Sequence, residues 1–361
     1  MSTETSTETS IETIDPARLE AVAGRFLEEL GITLSTLTTA LGVRTGLWAA
    51  LAGAGPLTPA ELAARVGTAE AYAREWCRTQ AAAGFLTYAD GAFELPDEVA
   101  AAVVHGPVGA VIDAATTMLC ATGVRFDAFE QAFRTGRGFG WDERTPDHWA
   151  GADRFTAAAL SPDLLPEAIR TLDGVADRLA AGGSVLDVGC GFGRPTIWLA
   201  QQFLSARVTG CDLHDASIAS ARKAAAAAGV TDRVTFEVAS AKEAPGSGYA
   251  LVLFVDSLHD LGDPVGALRR AREVLAPDGA VLLVEPRGAD RVEDNFHPMG
   301  RMFYAVSTMF CTPTAMSQEG HALGTLAGPR ALRDTAFAAG LGTVREVRVP
   351  APFNLVLELR P

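Results

Sequence analysis

The chain has 361 residues, enough for two domains, and its 48% hydrophobic and 20% charged content is typical of a globular protein with a sizeable core. Acidic residues outnumber basic ones by 44 to 30, which argues against nucleic acid or an anionic membrane as the main partner. The five cysteines form no CxxC pair, and we find neither a signal-peptide pattern nor an apolar run of about 18 residues. We therefore expect a cytoplasmic protein without a disulfide framework or a metal site.

The N-terminal part of the chain is predicted to begin with a tail and then turn helical. Residues 1–13 are polar and acidic, which is typical of a disordered segment. A helix is predicted to begin at Pro16, after an N-capping aspartate, and Gly31 is well placed to end it. Further helical stretches are expected at about 33–41 and 46–51.

The next segment has the outline of a winged helix. Thr58 and Glu61 have the spacing of a capping box, and another helix is predicted at about 69–83. Two short strands, at 85–88 and 92–95, flank an Asp-Gly turn and predict a hairpin. Helices joined by a tight turn and followed by a small hairpin are typical of a winged helix.

The charge of this segment bears on whether it binds DNA. Residues 45–96 contain three basic and five acidic side chains, whereas a surface for phosphates should be net basic. The helix that would read DNA contains Arg74 and Arg78 but also Glu70 and Glu75. We therefore expect a packing or dimerisation module, with DNA binding as the alternative.

An alanine-rich, mainly helical stretch follows, from 107 to about 179, and a glycine-rich aromatic loop at 135–141 interrupts it. This loop, which ends at Trp141, could form one wall of a substrate pocket or could be a surface connection between helices. The sequence leaves both interpretations open.

From residue 183 onward, strands and helices alternate. Apolar strands are predicted at 185–188, 207–212, 234–238, 251–255 and 279–285, with helices that include 217–228 and 264–275. Continuous apolar strands separated by helices predict an α/β fold with a Rossmann-like, mostly parallel sheet that is buried on both faces. A final helix at 330–339 and strands near 343–349 and 353–359 predict an antiparallel hairpin at the sheet edge, which gives seven strands in all.

Three glycines at alternate positions, Gly189, Gly191 and Gly193, separate the first of these strands from a helix. Such a turn lets a ligand approach the backbone and aims free N–H groups at it. The GxGxG spacing differs from the GxGxxG pattern of NAD sites. A carboxylate at Asp187 would repel a pyrophosphate, but it suits a cofactor with an ammonium and a sulfonium group.

Asp212 ends the second predicted strand, where a carboxylate can accept both ribose hydroxyls of an adenosine. Alternatively, Asp212 could cap the following helix, although Asp215 could fill that role instead.

These motifs resemble those of the class I S-adenosylmethionine-dependent methyltransferases. Residues 184–194 resemble their first motif, Asp212 the acidic residue of the second, 232–242 the third and 275–286 the late helix–turn–strand. Together with the winged-helix outline, the chain from about 15 to 361 is similar to bacterial small-molecule methyltransferases of this class.

The resemblance implies S-adenosylmethionine as cofactor. Ser240 departs from the family pattern, because an acidic residue is usual at that position. The residues implied at the cofactor are Asp187, Gly189, Gly191, Gly193, Asp212, Leu213, Ser240, Ala241, Lys242 and Asp256.

His259 and Asp260 resemble the His-Asp pair of O-methyltransferases with a winged-helix N-terminus, in which the histidine is the general base. A base is needed if the acceptor is a hydroxyl, and histidine has a suitable pKa. The alternative is a polar residue that merely packs beside the cofactor. Trp141, His297, Arg301 and Tyr304 are expected to line a largely apolar substrate pocket.

Four segments are therefore predicted: the tail 1–13, a winged-helix or dimerisation domain 14–105, a helical pocket segment 106–182, and a cofactor-binding domain 183–361 whose residues 286–329 form a cap. The predicted function is metal-independent methyl transfer to O, N or C of a small apolar or aromatic metabolite, by a homodimer that the resemblance implies. The alternatives are a non-methylating enzyme of the same fold and a cofactor-sensing regulator.

Overall fold

The computed structural model describes residues 14–318 and 320–361, except for the side chain of residue 159. The predicted tail 1–13 lies outside the described residues. The chain divides into two compact units after Thr117. This division falls later than the boundary expected after residue 105.

The first unit is helical with one hairpin. Its elements are α1 (Pro16–Thr45), α2 (Leu47–Leu51), α3 (Pro59–Val66), α4 (Glu70–Ala82), β1 (Thr87–Ala89), β2 (Ala92–Glu94), α5 (Asp97–Ala100), a π-helical turn (Ala101–His105) and α6 (Val108–Gly123), which crosses the division. The predicted helices and the hairpin of the winged-helix outline are present, and β1 and β2 pair antiparallel.

The expectation that Gly31 ends the first helix is wrong. α1 continues through Gly31 to Thr45 and ends at Gly46, whose φ of +77° is left-handed. One glycine inside a helix costs only about 1 kcal/mol relative to alanine, so the long run of good helix formers on either side continues through it.

Local capping and aromatic packing hold the first unit. The capping box is confirmed, because the Thr58 side chain accepts from the Glu61 N–H and the Glu61 carboxylate accepts from the Thr58 N–H. Trp48 and Trp76 pack edge to face with ring centroids 4.8 Å apart, in the same buried cluster as Leu62.

The second unit is an α/β domain. Its helices are α7 (Phe126–Thr135), α8 (Pro146–Ala159), α9 (Leu164–Arg170), α10 (Val175–Ala180), α11 (Arg194–Gln202), α12 (Asp215–Ala227), α13 (Pro264–Val274), α14 (Pro298–Val306), α15 (Thr312–Met316) and α16 (Gly328–Ala338). Its strands are β3 (Ser184–Val188), β4 (Arg207–Asp212), β5 (Val234–Val238), β6 (Tyr249–Val255), β7 (Leu275–Pro286), β8 (Thr343–Glu346) and β9 (Asn354–Arg360).

The seven strands form one sheet in the order β5-β4-β3-β6-β7-β9-β8. Neighbours from β5 to β7 are parallel, and β9 runs antiparallel to both β7 and β8. The predicted fold class is therefore confirmed, including the antiparallel hairpin at one edge.

Burial on both faces explains why the strands are continuously apolar. Along β6, Leu251 and Leu253 pack into the core on one face, whereas Val252 and Phe254 pack into the core on the other. Because the strands from β3 to β7 are parallel, their carboxyl ends meet at one edge. The predicted cap contributes helices α14 and α15, with a π-helical segment (Ser307–Cys311) between them.

Candidate active site

The glycine turn after β3 can be built only with glycine at two of its positions. A Cβ at Gly189, whose φ is +71°, would lie 2.7 Å from the Ser257 Cβ. A Cβ at Gly193, whose φ is +78°, would lie 2.5 Å from the Phe236 ring. Both the left-handed backbone and the lack of space therefore exclude larger residues.

Asp187 is a buried carboxylate at the end of β3. It is 1% exposed, and its Oδ2 accepts a 2.5 Å hydrogen bond from the Thr196 hydroxyl. Its Oδ1 has no hydrogen-bond partner among the described residues. Burial is the main reason that the pKa of Asp187 is raised to about 6. Such an oxygen suits a cationic donor from a ligand.

Asp212 ends β4 and holds the neighbouring turns together. One oxygen accepts from the Gly191 N–H at 3.0 Å, and the other accepts from the His214 N–H at 2.8 Å. The following helix is capped by the His214 side chain and not by Asp212. Each Asp212 oxygen therefore keeps a lone pair for a ligand.

A cavity of about 480 Å³ lies at the carboxyl ends of these strands. Its volume is in the usual range for small-molecule sites. The predicted site residues that line it are Trp141, Asp187, Gly189, Gly191, Asp212, Leu213, Ser240, Ala241, Asp256 and Asp260. The structure thus brings together in one unit residues from the loops after β3, β4, β5 and β6.

Asp256 follows β6 in a strained conformation. Its φ of +49° is uncommon for a residue other than glycine, and its N–H donates to the Val284 carbonyl at 2.8 Å. Backbone strain of this kind clusters at active sites and ligand-binding segments, and Asp256 lines the cavity described above.

Six of the predicted site residues do not line this cavity. They are Gly193, Lys242, His259, His297, Arg301 and Tyr304. Lys242 lies on the surface with its Nζ 3.7 Å from Asp263, and Arg301 is an exposed residue of α14. Gly193 serves the packing of the turn, as described above.

His297 and Tyr304 have structural roles in the cap. The His297 Nδ1 accepts from the Gly300 N–H at 3.1 Å and so caps α14, and the Tyr304 hydroxyl accepts from the Asn295 amide at 3.2 Å. Their side chains satisfy the cap's own polar groups, which the composition of the segment could not reveal.

His259 is buried directly behind Asp260. Its Nδ1 lies in hydrogen-bond contact with the Glu285 carboxylate, and its Nε2 is 3.5 Å from the Asp260 Oδ1. Burial opposes protonation of His259, but the Glu285 and Asp260 carboxylates outweigh it and raise the pKa of the imidazole well above its usual range.

Glu285 is a site residue that the sequence did not single out. It ends the apolar run of β7, is 2% exposed, and also accepts from the Leu258 N–H at 2.9 Å. An acidic residue at the end of a fully buried strand is the signal that could have identified it, because a buried carboxylate needs a partner.

Two arginines make contacts at or near the cavity. Arg194 donates two hydrogen bonds, of 2.5 and 2.7 Å, to Asp153 of α8, and both residues line the cavity. Arg144 is 5% exposed and donates to the Phe310 carbonyl at 2.9 Å and the Thr314 hydroxyl at 3.0 Å. It therefore ties the loop before α8 to the cap.

Two family models match the chain. Residues 185–279 match a methyltransferase domain, and residues 33–105 match an Rv2258c-like winged HTH domain. The first match lies within the second unit and the second match within the first unit.

Curated relatives match in part of their length. The 27-O-demethylrifamycin SV methyltransferase of Amycolatopsis mediterranei (strain S699) is 32% identical over 139 residues, which are 36% of this chain and 51% of that relative. Methyltransferase GfsG of Streptomyces halstedii is 31% identical over 109 residues, which are 30% of this chain and 39% of that protein. The chain thus spans about half, or less, of the length of these relatives.

Solved structures match over nearly the whole chain. The mitomycin 7-O-methyltransferase MmcR has a TM-score of 0.67 at 19% identity, with 96% of this chain and 99% of that one covered. PigF with SAH has a TM-score of 0.68 at 17% identity, with 93% and 99% covered. These similarities establish the fold.

Among the described residues, no single helix has both the length and the apolar character needed to cross a membrane. The bent helix pair Asp97–His105 and Val108–Gly123 together has the length and composition of a span.

Proposed function

We propose that this chain, a class I methyltransferase by fold with an N-terminal winged-helix domain, methylates a hydroxyl oxygen of a small, largely apolar or aromatic metabolite with S-adenosylmethionine. The observation that carries the proposal is the arrangement of carboxylates along one sheet edge. Asp187, whose Oδ1 has no hydrogen-bond partner in the part of the chain that the structure describes, lines the cavity, and a carboxylate-bound imidazole lies next to Asp260.

The residues present fit the cofactor. S-adenosylmethionine supplies an electrophilic methyl group on a sulfonium. The Asp187 Oδ1 would accept a hydrogen bond from the ammonium group of the cofactor, and the free lone pairs of Asp212 would accept from its ribose hydroxyls. The glycine turn leaves room for the part of the cofactor between these two groups. Leu213, Ala241 and Ser240 would border the adenine, with Asp256 at the sulfur end.

The acceptor proton would leave through Asp260 and His259. Asp260 lines the cavity and can accept a hydrogen bond from the acceptor hydroxyl. The His259 Nε2, 3.5 Å from the Asp260 Oδ1, then takes the proton, and the Glu285 carboxylate stabilises the resulting imidazolium. Because these carboxylates raise the pKa of His259, the neutral base is more abundant at alkaline pH. We therefore expect the rate of transfer to increase as the pH rises above neutrality.

The acceptor would lie between the glycine turn and the cap. Trp141 of the glycine-rich loop and Thr314 and Gln318 of the cap line this side of the cavity. An aromatic wall with a few polar side chains fits an apolar or aromatic acceptor that is oriented by hydrogen bonds. Such an acceptor supports a role in specialised metabolism.

The test is methyl transfer from S-adenosylmethionine to a panel of phenols, alcohols and amines, with products identified by mass. We expect products methylated at a hydroxyl. Such products would also rule out the alternative of an enzyme that binds the cofactor but does not methylate. His259→Ala should lower kcat by roughly 10²- to 10⁴-fold. The exposed His105→Ala serves as the matched control and should leave kcat unchanged.

Two outcomes would count against this proposal. If His259→Ala retains wild-type kcat, transfer relies on positioning alone, and nitrogen or carbon acceptors become the better assignment. If S-adenosylmethionine is consumed without any methylated product, the non-methylating alternative is favoured.

A homodimer is proposed through the first unit. The helix α1 exposes large apolar side chains, among them Leu19, Phe26, Leu30 and Leu34, each more than half exposed. A helix face of this kind normally packs against another protein surface. Light scattering should give twice the chain mass, and Phe26→Glu should shift the protein toward the monomer.

DNA is not proposed as a partner. In α4, Arg74 lies 3.2 Å from Glu70 and Arg78 lies 2.8 Å from Glu75, so both cations already have carboxylate partners. We expect no salt-dependent binding to a DNA duplex.

A cytoplasmic location is proposed because all five cysteines are free thiols.

A further inference from the structure

Three potential metal ligands converge beside the candidate active site. The His259 Nε2 and the Asp260 Oδ1 lie in the 3₁₀ turn Leu258–Asp260, and the Cys311 Sγ comes from the π-helical segment of the cap. All three atoms lie within 4.8 Å of one another. The thiol also hydrogen-bonds to His259.

The polar atoms of this cluster are not fully satisfied by the protein. The Asp260 Oδ1 is buried and has no hydrogen-bond partner among the described residues, although it faces the imidazole at 3.5 Å. A carboxylate oxygen, an imidazole nitrogen and a sulfur are all electron-pair donors, and they need a cation or shared protons between them.

Glu285 supplies the hydrogen-bond acceptor that the second ring nitrogen of a metal-bound histidine normally has. Its carboxylate accepts from the His259 Nδ1 and so directs Nε2 toward Asp260 and Cys311. Histidine ligands of zinc commonly donate their second N–H to a carboxylate in this way, which fixes the ring and raises its basicity.

We propose that His259, Asp260 and Cys311 form a Zn²⁺ site. Bonds of about 2.0 to 2.3 Å at tetrahedral angles place ligand atoms roughly 3.3 to 3.6 Å apart. The separation of 3.5 Å between Nε2 and Oδ1 already meets this requirement. The widest separation is at most 4.8 Å, so it has to contract by no more than roughly 1.5 Å.

The charge and access of the site also suit zinc. Binding releases the thiol proton and the Nε2 proton, so that a thiolate, a carboxylate and a neutral imidazole face the divalent ion. Asp260 lines the cavity, so the three ligands adjoin a cavity from which an ion can reach them.

Zinc at this site would inhibit methyl transfer reversibly. The metal takes the Nε2 lone pair that the proposed base uses, so the same atom cannot accept the acceptor proton. This consequence rests on the proposed function, whereas metal binding itself does not.

The experiment is a titration of the metal-free full chain with Co²⁺, a spectroscopic stand-in for Zn²⁺. We expect a thiolate-to-cobalt charge-transfer band at one ion per chain, which Zn²⁺ then abolishes. Cys311→Ser should remove the band, and Cys120→Ser, at an exposed thiol, should leave it unchanged. Asp260→Asn should weaken cobalt binding by at least tenfold.

The outcomes distinguish the proposed metal site from the proposed role of His259 as base. A missing band in the unmodified chain, or a band that persists in Cys311→Ser, would overturn the metal site. A cysteine-dependent band together with methyl transfer that Zn²⁺ does not inhibit would support the site and overturn the role of His259 as base. Inhibition that EDTA reverses and Cys311→Ser abolishes supports both.

Discussion

The buried carboxylate of Asp187 gives the most informative substitution. Its pKa is raised from 3.8 to about 6, chiefly by burial. A raised folded-state pKa stabilises the folded chain below about pH 4, and this contribution is lost as the pH rises through about 6. The shift corresponds to about 3 kcal/mol, so ionised Asp187 destabilises the cofactor-free protein by up to that amount at pH 8.

Asp187→Asn should therefore increase the stability of the folded protein while it weakens cofactor binding. At pH 8 the cofactor-free variant should be more stable than the wild type by about 1 to 3 kcal/mol, and the gain should vanish near pH 4. Affinity for S-adenosylhomocysteine should fall by roughly 10- to 100-fold, because a charge-assisted hydrogen bond to its ammonium group is lost.

Urea unfolding at several pH values and titration calorimetry measure the two effects. Asp232→Asn, at a side chain that is 70% exposed, is the control and should change stability by less than about 0.5 kcal/mol. An Asp187→Asn protein that is less stable at pH 8, or that binds S-adenosylhomocysteine as well as the wild type, would refute the reasoning.

Three further predictions concern the scaffold of the site. Gly193→Ala should destabilise the chain by about 3 kcal/mol in urea unfolding, because the alanine would combine left-handed backbone strain with a steric clash. The control Gly229→Ala has a φ of +69° but open space around it, and it should cost about 1 kcal/mol. Glu285→Gln should lower kcat roughly 100-fold and shift the pH–rate profile to lower pH, because the carboxylate that raises the pKa of His259 is lost; an unshifted profile would contradict its role. Arg144→Lys should destabilise the chain by about 2 kcal/mol through lost hydrogen bonds to the cap, and unchanged urea unfolding would contradict that role.

The sheet could be predicted closely from the sequence. The strands predicted at 207–212 and 234–238 have those bounds in the structure. The edge strand β5 alternates buried and exposed residues from Val234 to Glu237, which is the period-2 pattern of a half-buried strand. The first helix was less predictable. A single glycine is a weak stop signal when no proline or turn residue follows it, and α1 continues through Gly31.

The cofactor side of the cavity was predictable for a different reason. Asp187 and the glycines lie together in the chain, so one local motif places them at the end of β3. Glu285 and Cys311 come from distant segments, and only the packing of β7 and the cap brings them to His259. Contacts of this kind leave no spacing pattern in the sequence.

The central claim is tested most directly by a crystal structure of the chain with S-adenosylhomocysteine. We predict that its amino nitrogen lies within hydrogen-bond distance of the Asp187 Oδ1, with the ribose hydroxyls on Asp212 and the sulfur toward Asp260. A ligand that binds elsewhere, or with its amino acid end away from Asp187, would contradict the proposed site.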